Sequence, residues 1–366
     1  MKAIKICVLA GDGIGKEVTE WGVKALEAVG PFHGMSFEFK NELLGHAAIE
    51  ATGQPLPEAT LVSCREADAV LLGAIGDPLY DNNPQLKVRP EQGLLALRKG
   101  LKLFANIRPI LLFDELLDAS PLKKTVIQGT DILFFRELTG GIYFGTPRGR
   151  KENDTVAFDT KIYAKYEVER IARMAFEAAQ SRKKVLHSVD KANVLESSRL
   201  WREVVQELAS EYPEVQVHHI FVDNAAMQLI KDPTQFDVVV TGNMFGDILT
   251  DEASQIAGSL GMLASASVGE VVGLYEPIHG SAPDIAGQNI ANPLATILST
   301  ALMLDRSLEA PAAAKHIVAS VKLVLKNGFR TRDIMDDQTD KNKILGTKEM
   351  GQKVIETIKE LVAVSI

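Results

Sequence analysis

Apolar and polar positions along this chain follow two rhythms that take turns from one end to the other. Ile4–Leu9 is a short continuous apolar run, the pattern of a strand covered on both faces. A glycine turn, Gly11-Asp12-Gly13-Ile14-Gly15, leads into a helical pattern through Val18, Val23, Leu26 and Val29. Ser36–Asn41 alternates and predicts a second strand. Pro57 and Glu58 open a helix, because proline is tolerated in a first turn and a carboxylate suits the positive end of the dipole. Ala69–Leu72 predicts another strand, followed by an irregular stretch, 73–90, of a length that is usually either functional or disordered. The alternation then resumes with a helix over Glu91–Lys99 and strands at Leu103–Ile107, near Val126 and at Ile132–Glu137. A hairpin-like segment bearing Tyr143 and Phe144 follows between Gly140 and Gly149. Helices over 166–182, 195–212, 223–231 and 245–257 interleave with strands over 184–189, 215–220 and 238–241. A glycine-rich segment, 258–287, precedes helices starting near Pro293, Leu308 and Thr347. Strands alternating with helices predict an α/β fold with both sheet faces covered.

Length changes this picture more than composition does. A chain of 366 residues exceeds what one core usually organises, so two domains, or one large doubly wound unit, are expected, and the lack of a Pro/Ser linker suggests that the domains interleave. With 46% apolar and 24% charged residues, disorder is excluded as the main state. A net charge of −8 argues against nucleic acid and anionic membrane as general partners. Cys7 and Cys64 have neither disulfide-framework nor zinc or redox spacing, and read as small buried hydrophobes in a reducing compartment. The start of the chain does not read as a signal peptide and no apolar run approaches a membrane span, so a soluble, cytoplasmic protein is expected.

The glycine turn invites a dinucleotide-binding reading of the Rossmann type and fails its spacing, because Lys16 stands where the third glycine belongs. Arg98, Arg108 and Arg136 lie near strand ends, where ligands of α/β sheets bind. Their planar forks match carboxylates, so three of them could hold a small di-acid; a solvated cap is the plain alternative for any one alone. Asp247 and Asp251 are four apart on one predicted helical face. Like charges there need something positive opposite, and a divalent cation suits oxygen ligands of this kind, with an exposed acidic face as the alternative. Asp223 opens another helix after an apolar strand and could supply a third carboxylate. Lys191, at a strand rim near other cations, could serve as a base, although an exposed turn lysine has the same signature. His279 lies in a loop whose glycine and proline content suits close approach of a ligand, whereas Tyr143, in Gly140–Gly145, reads by itself more readily as a packing aromatic with a satisfied hydroxyl.

Taken together, several segments resemble the isocitrate/isopropylmalate dehydrogenase family of β-decarboxylating dehydrogenases over nearly the whole chain. They are the opening glycine turn, Asn106-Ile107-Arg108-Pro109, Arg136–Gly145, Asp190–Asn193, Gly242–Asp251, Glu276–Gly287 and Asn292-Pro293. The resemblance implies a two-domain, non-Rossmann fold with its active site in an interdomain cleft. Residues 1–102 and 258–366 would form a discontinuous cofactor-binding domain, and 103–257 the substrate, metal and dimerisation domain. It further implies that Arg98, Arg108 and Arg136 clamp the substrate carboxylates, with Glu91, Leu94, Leu95 and Asp223 also at the substrate. Asp223, Asp247 and Asp251 would bind Mg²⁺ or Mn²⁺, and Tyr143 and Lys191 would be the acid/base pair. A homodimer would share its sites, Lys191 and Asp223 reaching the partner's. NAD would be held by Ile14, Gly76, Asp77, Glu276, His279, Gly280, Ser281, Ala282, Pro283, Asp284, Ile285 and Asn292, an acid at Asp284 favouring NAD over NADP. Leu94 and Leu95 resemble the family's isopropyl-recognising helix, which implies NAD-dependent oxidative decarboxylation of 3-isopropylmalate to 4-methyl-2-oxopentanoate and CO2 in leucine biosynthesis. A decarboxylating tartrate or D-malate dehydrogenase is the alternative within the family.

Overall fold

The computed structural model describes residues 3–81, 83 and 85–364; Asn82 and Pro84, within the irregular stretch 73–90, lie outside the described residues. The fold is α/β, in two compact units. One comprises the chain up to Leu103, Phe113–Pro121 and the residues from Ala257 onward; the other is Phe104–Leu112 with Leu122–Ile256. The short excursion Phe113–Pro121 has no counterpart in the domain limits expected from the sequence. It joins the first unit through contacts that its composition does not announce: Arg330 donates to the Glu115 carbonyl at 2.6 Å, and Gly258 lies close against Ala119.

In the first unit the strand order is Phe37–Asn41, Ile4–Gly11, Ala69–Ala74, Gly273–Pro277, Ala264–Val268. The first four are mutually parallel and the last pair is antiparallel. Every residue of Ala69–Ala74 is buried, as its unbroken apolar run predicts. Helices Gly15–Val29, Leu294–Arg306, Pro311–Lys326 and Thr347–Val364 pack together. Leu294–Arg306 is buried on nearly all sides, and its Ser299 and Thr300 hydroxyls donate back to helix carbonyls. Cys7 and Cys64 are fully buried free thiols in a cluster with Leu9, Val70, Leu72 and Leu97, their sulfurs 3.5 Å apart, as expected of small hydrophobes.

The second unit orders its strands Ala105–Leu111, Asp131–Glu137, Val238–Thr241, Val185–Asp190, Gln216–Phe221, the first pair antiparallel and the rest parallel. Register sets up the chemistry: Arg136 lies beside Thr241, Thr241 beside Val189, and Val189 beside Ile220. The four parallel strands therefore end together, and the residues just past their ends share one rim.

Three expectations fail locally. The strand near Val126 is a helical turn, Lys124–Ile127. The glycine-rich 258–287 contains two strands, Ala264–Val268 and Gly273–Pro277. The strand expected to stop at Ile107 runs to Leu111 with Arg108 inside it, because Pro109 is accommodated opposite Leu133. Among the described residues no helix is long and apolar enough to cross a membrane.

Candidate active site

At the strand rim of the second unit, Arg108 and Arg136 are both nearly buried, at 7% and 4% exposure. Burial at that level requires partners, and each guanidinium has them. Arg108 donates Nε to Asn106 Oδ1 at 2.6 Å, reaches the Thr250 hydroxyl, and lies 3.4 Å from Asp251 Oδ1. Arg136 donates Nε and Nη2 to Asn243 Oδ1 at 3.1 and 2.9 Å, and Nη1 to Asp247 Oδ1. The other oxygen of Asp247 accepts the Tyr143 hydroxyl at 2.9 Å. Helix Asn243–Ser254 carries Asp247 and Asp251 on one face, as the spacing predicts. The positive charge their repulsion calls for is supplied by the two arginines.

Two guanidiniums facing two carboxylates balance locally. The carboxylate oxygens of Asp247 and Asp251, partly open to solvent, are donors of the kind a divalent cation prefers, so the pair could hold one. Burial raises the Asp251 carboxyl above the usual carboxylate range, with Arg108 opposing the shift. Burial and then the bond to Asp247 raise the Tyr143 phenol, keeping it protonated at neutral pH, as a proton donor must be.

Lys191 and Asp223 meet because Val185–Asp190 and Gln216–Phe221 are neighbouring parallel strands that end at Asp190 and Phe221. Lys191 Nζ donates to Asp223 Oδ1 at 2.5 Å, and this bond holds the Asp223 carboxyl below its ordinary value. Asp190 fixes the turn, taking two bonds of 2.8 Å from Arg202 and one from the Ala192 N–H. Among the described residues no three Asp, Glu, His or Cys side chains converge as a metal cage within the chain. Asp247 and Asp251 form one acidic pair, and Asp223 stands with Lys191 instead.

The first unit holds the remaining expected residues. Arg98, in helix Pro90–Gly100, donates Nη2 to Glu276 Oε1 at 2.8 Å, so a residue expected at the substrate and one expected at the cofactor are ion-paired. Arg98 Nε is buried without a partner. On the same helix Glu91 and Leu95 are exposed, while Leu94 leans on the core cluster around Leu9 and Leu72. The glycine turn docks on the segment after His279. Ile14 N–H donates to the Ser281 carbonyl at 2.8 Å and packs with Ala282 and Ile285; a Cβ on Gly13 would lie 2.0 Å from that carbonyl, which only glycine allows. Gly76 N–H is received by Asp12, and Asp77 caps the N–H of Leu79. Gly280, Pro283 and Asp284 are exposed, whereas Asn292 is buried and engaged with Asp333 and the Leu294 N–H. His279 is held neutral by burial, and its Nε2 is a buried orphan. An unpartnered ring nitrogen beside exposed loop backbone suits a polar heterocycle such as a nucleotide base.

Several residues of these sites went unread in the sequence: Asn243, Thr250, Arg202 and Glu137. So did Asp12, whose carboxylate gathers the N–H groups of His46, Ala47 and Gly76. Neutral or singly placed polar residues look like caps and loops until a fold surrounds them.

The family model for isocitrate/isopropylmalate dehydrogenase matches residues 5–354, and the chain belongs to that family. Its relatives include proteins named 3-isopropylmalate dehydrogenase. That of Aquifex aeolicus is 52% identical, over 99% of each chain; that of Geobacillus kaustophilus is 54% identical, over 99% of this chain and 97% of the relative. The chloroplastic 3-isopropylmalate dehydrogenase 2 of Arabidopsis thaliana is 53% identical over 100% and 90% of the two chains. Among solved structures, the isocitrate dehydrogenase of Methylococcus capsulatus aligns with a TM-score of 0.85 at 34% identity, covering 97% of this chain and 99% of that one. A β-decarboxylating dehydrogenase of Thermococcus kodakarensis aligns with a TM-score of 0.79 at 33% identity, covering 99% and 98%.

Proposed function

We propose that the chain catalyses the NAD-dependent oxidative decarboxylation of 3-isopropylmalate to 4-methyl-2-oxopentanoate and CO2, a step of leucine biosynthesis. The observation that carries this reading is the sequence identity of 52–54% with relatives of that name over nearly the full chain. The linked set of Arg108, Arg136, Tyr143, Asp247 and Asp251 agrees with it. Bound NAD would supply the hydride acceptor, and Mg²⁺ or Mn²⁺ on Asp247, Asp251 and Asp223 would polarise the substrate hydroxyl and spread the charge left as CO2 departs. Arg98, Arg108 and Arg136 orient the carboxylates, their forks fixing which bond faces the acceptor. Lys191 takes the hydroxyl proton as the carbinol carbon is oxidised. Tyr143, protonated and anchored on Asp247, delivers a proton to the carbon that has lost its carboxylate. Glu91, Leu94 and Leu95 meet the isopropyl group, Leu95 being the more exposed of the two leucines. Ile14, Gly76, Asp77, Glu276, Asn292 and the run from His279 to Ile285 serve NAD.

The working form is a homodimer in the cytoplasm, each protomer lending Lys191 and Asp223 to its partner's site. Two observations support sharing: Asp223 stands apart from the acidic pair it should complete, and Ile162, Val194, Met227 and Ile248 leave apolar surface exposed on the second unit. The test is a comparison of kcat/KM for 3-isopropylmalate, D-malate, tartrate and isocitrate with NAD and with NADP. The reading predicts isopropylmalate with NAD as the best pair by at least about tenfold, the worth of a well-filled apolar contact. A preference for D-malate or tartrate would replace it with the alternative.

A further inference from the structure

Tyr163 takes no part in the proposed reaction, yet it touches both halves of the machinery in the second unit. We propose that Tyr163 is a positioning residue that sets the Tyr143 turn against the carboxylate-bearing helix Asn243–Ser254. The inference rests on the roles proposed for Tyr143 and for that helix.

The helix begins with an N-cap, Gly242, that has no side chain to receive its first N–H groups. Tyr163 supplies the missing acceptor from outside, its hydroxyl oxygen taking the Asn243 N–H at 2.7 Å. Asn243 opens the helix whose Asp247 anchors the Tyr143 hydroxyl, so this bond bears on where that anchor sits, while Arg136 is held separately, through the Asn243 side-chain oxygen. On its other side the same ring fills the space of three missing side chains. A Cβ on Gly140 would lie 2.7 Å from Tyr163 Cε1; on Gly141, 2.7 Å from Oη; on Gly242, 2.9 Å from Oη. Gly140 and Gly141 begin the turn that presents Tyr143, and Gly141 N–H is held by the Ile162 carbonyl at 2.8 Å. Glu137 secures the start of that turn by accepting the N–H groups of Thr139 and Gly140 at 2.9 and 2.7 Å. The ring cannot drift. Tyr163 is buried and meets Trp201 edge-on at 5.4 Å, and Trp201 is tied through Nε1 to Ser188 in the strand that leads to Lys191. The 2.9 Å bond from Tyr143 to Asp247 thus closes a loop whose other side is Tyr163. Glycine at 140 and 242 follows from that ring, and at 141 from the ring together with a φ of 78°, which nothing in the local sequence signals.

The test is rapid-mixing measurement of NADH formation with isopropylmalate, NAD and Mn²⁺. Displacing the acid from the carboxylate helix should spare hydride transfer and slow the later steps. Tyr163→Phe should form its first NADH within about twofold of the native rate and then turn over about tenfold more slowly, the scale of a sub-ångström misplacement, with KM for NAD unchanged. Tyr143→Phe should show the same signature in stronger form. Gly242→Ala should slow turnover in the native background and cost less in the Tyr163→Phe background, where the 2.9 Å approach to Oη is gone and only Cε2 and Cζ, at 3.2 and 3.3 Å, remain. Gly140→Ala faces a ring carbon and should gain no such relief. A merely structural role predicts that the first NADH and steady turnover fall together with the folded fraction, and that Gly242→Ala and Tyr163→Phe combine additively; either result overturns the proposal. The parent reading is judged on the native chain and this one on the variants, so the two fail separately.

Discussion

In the second unit the groups that would meet a ligand are side chains that hold one another: Arg136 grips Asn243 and Asp247, Asp247 receives Tyr143, and Arg108 ties Asn106, Thr250 and Asp251. In the first unit the corresponding surface is largely backbone, a glycine turn docked on Ser281 and a loop gathered by Asp12, with His279 Nε2 unsatisfied. The contrast is between a site pre-arranged by charge and one pre-arranged by chain path. Removing a member of the first kind strands a buried charge; removing one of the second loosens a loop.

That contrast can be broken in order of expected size. Lys191→Met should abolish NADH formation, a loss of at least about a thousandfold, while leaving thermal stability nearly unchanged because its ion pair with Asp223 is solvent-exposed. Measured NADH at a native rate would remove Lys191 from the chemistry. Next, Arg136→Gln should cost about 2–5 kcal/mol in kcat/KM and also lower the melting temperature, since Asp247 loses its buried partner. Loss of activity with no loss of stability would mean that the charge network is not structural. Asp12→Ala is the matching test of the first unit: KM for NAD should rise about tenfold as three backbone N–H groups lose their acceptor, with KM for isopropylmalate within about twofold.

The smallest effect on turnover is a pH effect on stability. Burial and then the neighbouring His218 push buried His187 down to about 4. Its folded value lies below the unfolded value of about 6.5, so the unfolded chain binds the extra proton first. Stability should fall as pH drops from about 6.5 towards 4, by up to about 3 kcal/mol from this group. His187→Phe should flatten that part of the acid limb in denaturant titrations, and an unchanged limb would show that other groups dominate it.

The same contrast explains what could be read from the sequence. Strands such as Ala69–Ala74 are legible because burial on both faces demands a continuous apolar run. Ala264–Val268 is not, since Ala-Ser-Ala-Ser dilutes the signal and only its neighbours make it a strand. Thr125-Val126-Ile127 has strand propensity and forms a helical turn because the Lys123 carbonyl receives both Val126 and Ile127. Among site residues, the arginines at strand ends, the i,i+4 aspartates and Lys191 are legible in the sequence. Asn243, Thr250, Asp12 and Tyr163 are not, because their value lies in which backbone groups a distant segment brings to them. The pairing of Arg98 with Glu276 was invisible for the same reason, spanning 178 positions of sequence.

The most direct test is NADH formation from 3-isopropylmalate by the native chain, before and after removal of divalent cations with a chelator. NADH and CO2 should form in equal amounts with Mg²⁺ or Mn²⁺, be almost completely lost with chelator, and return when the cation is restored. Undiminished turnover in chelator would contradict this, because Asp247 and Asp251 would then have no cation to hold.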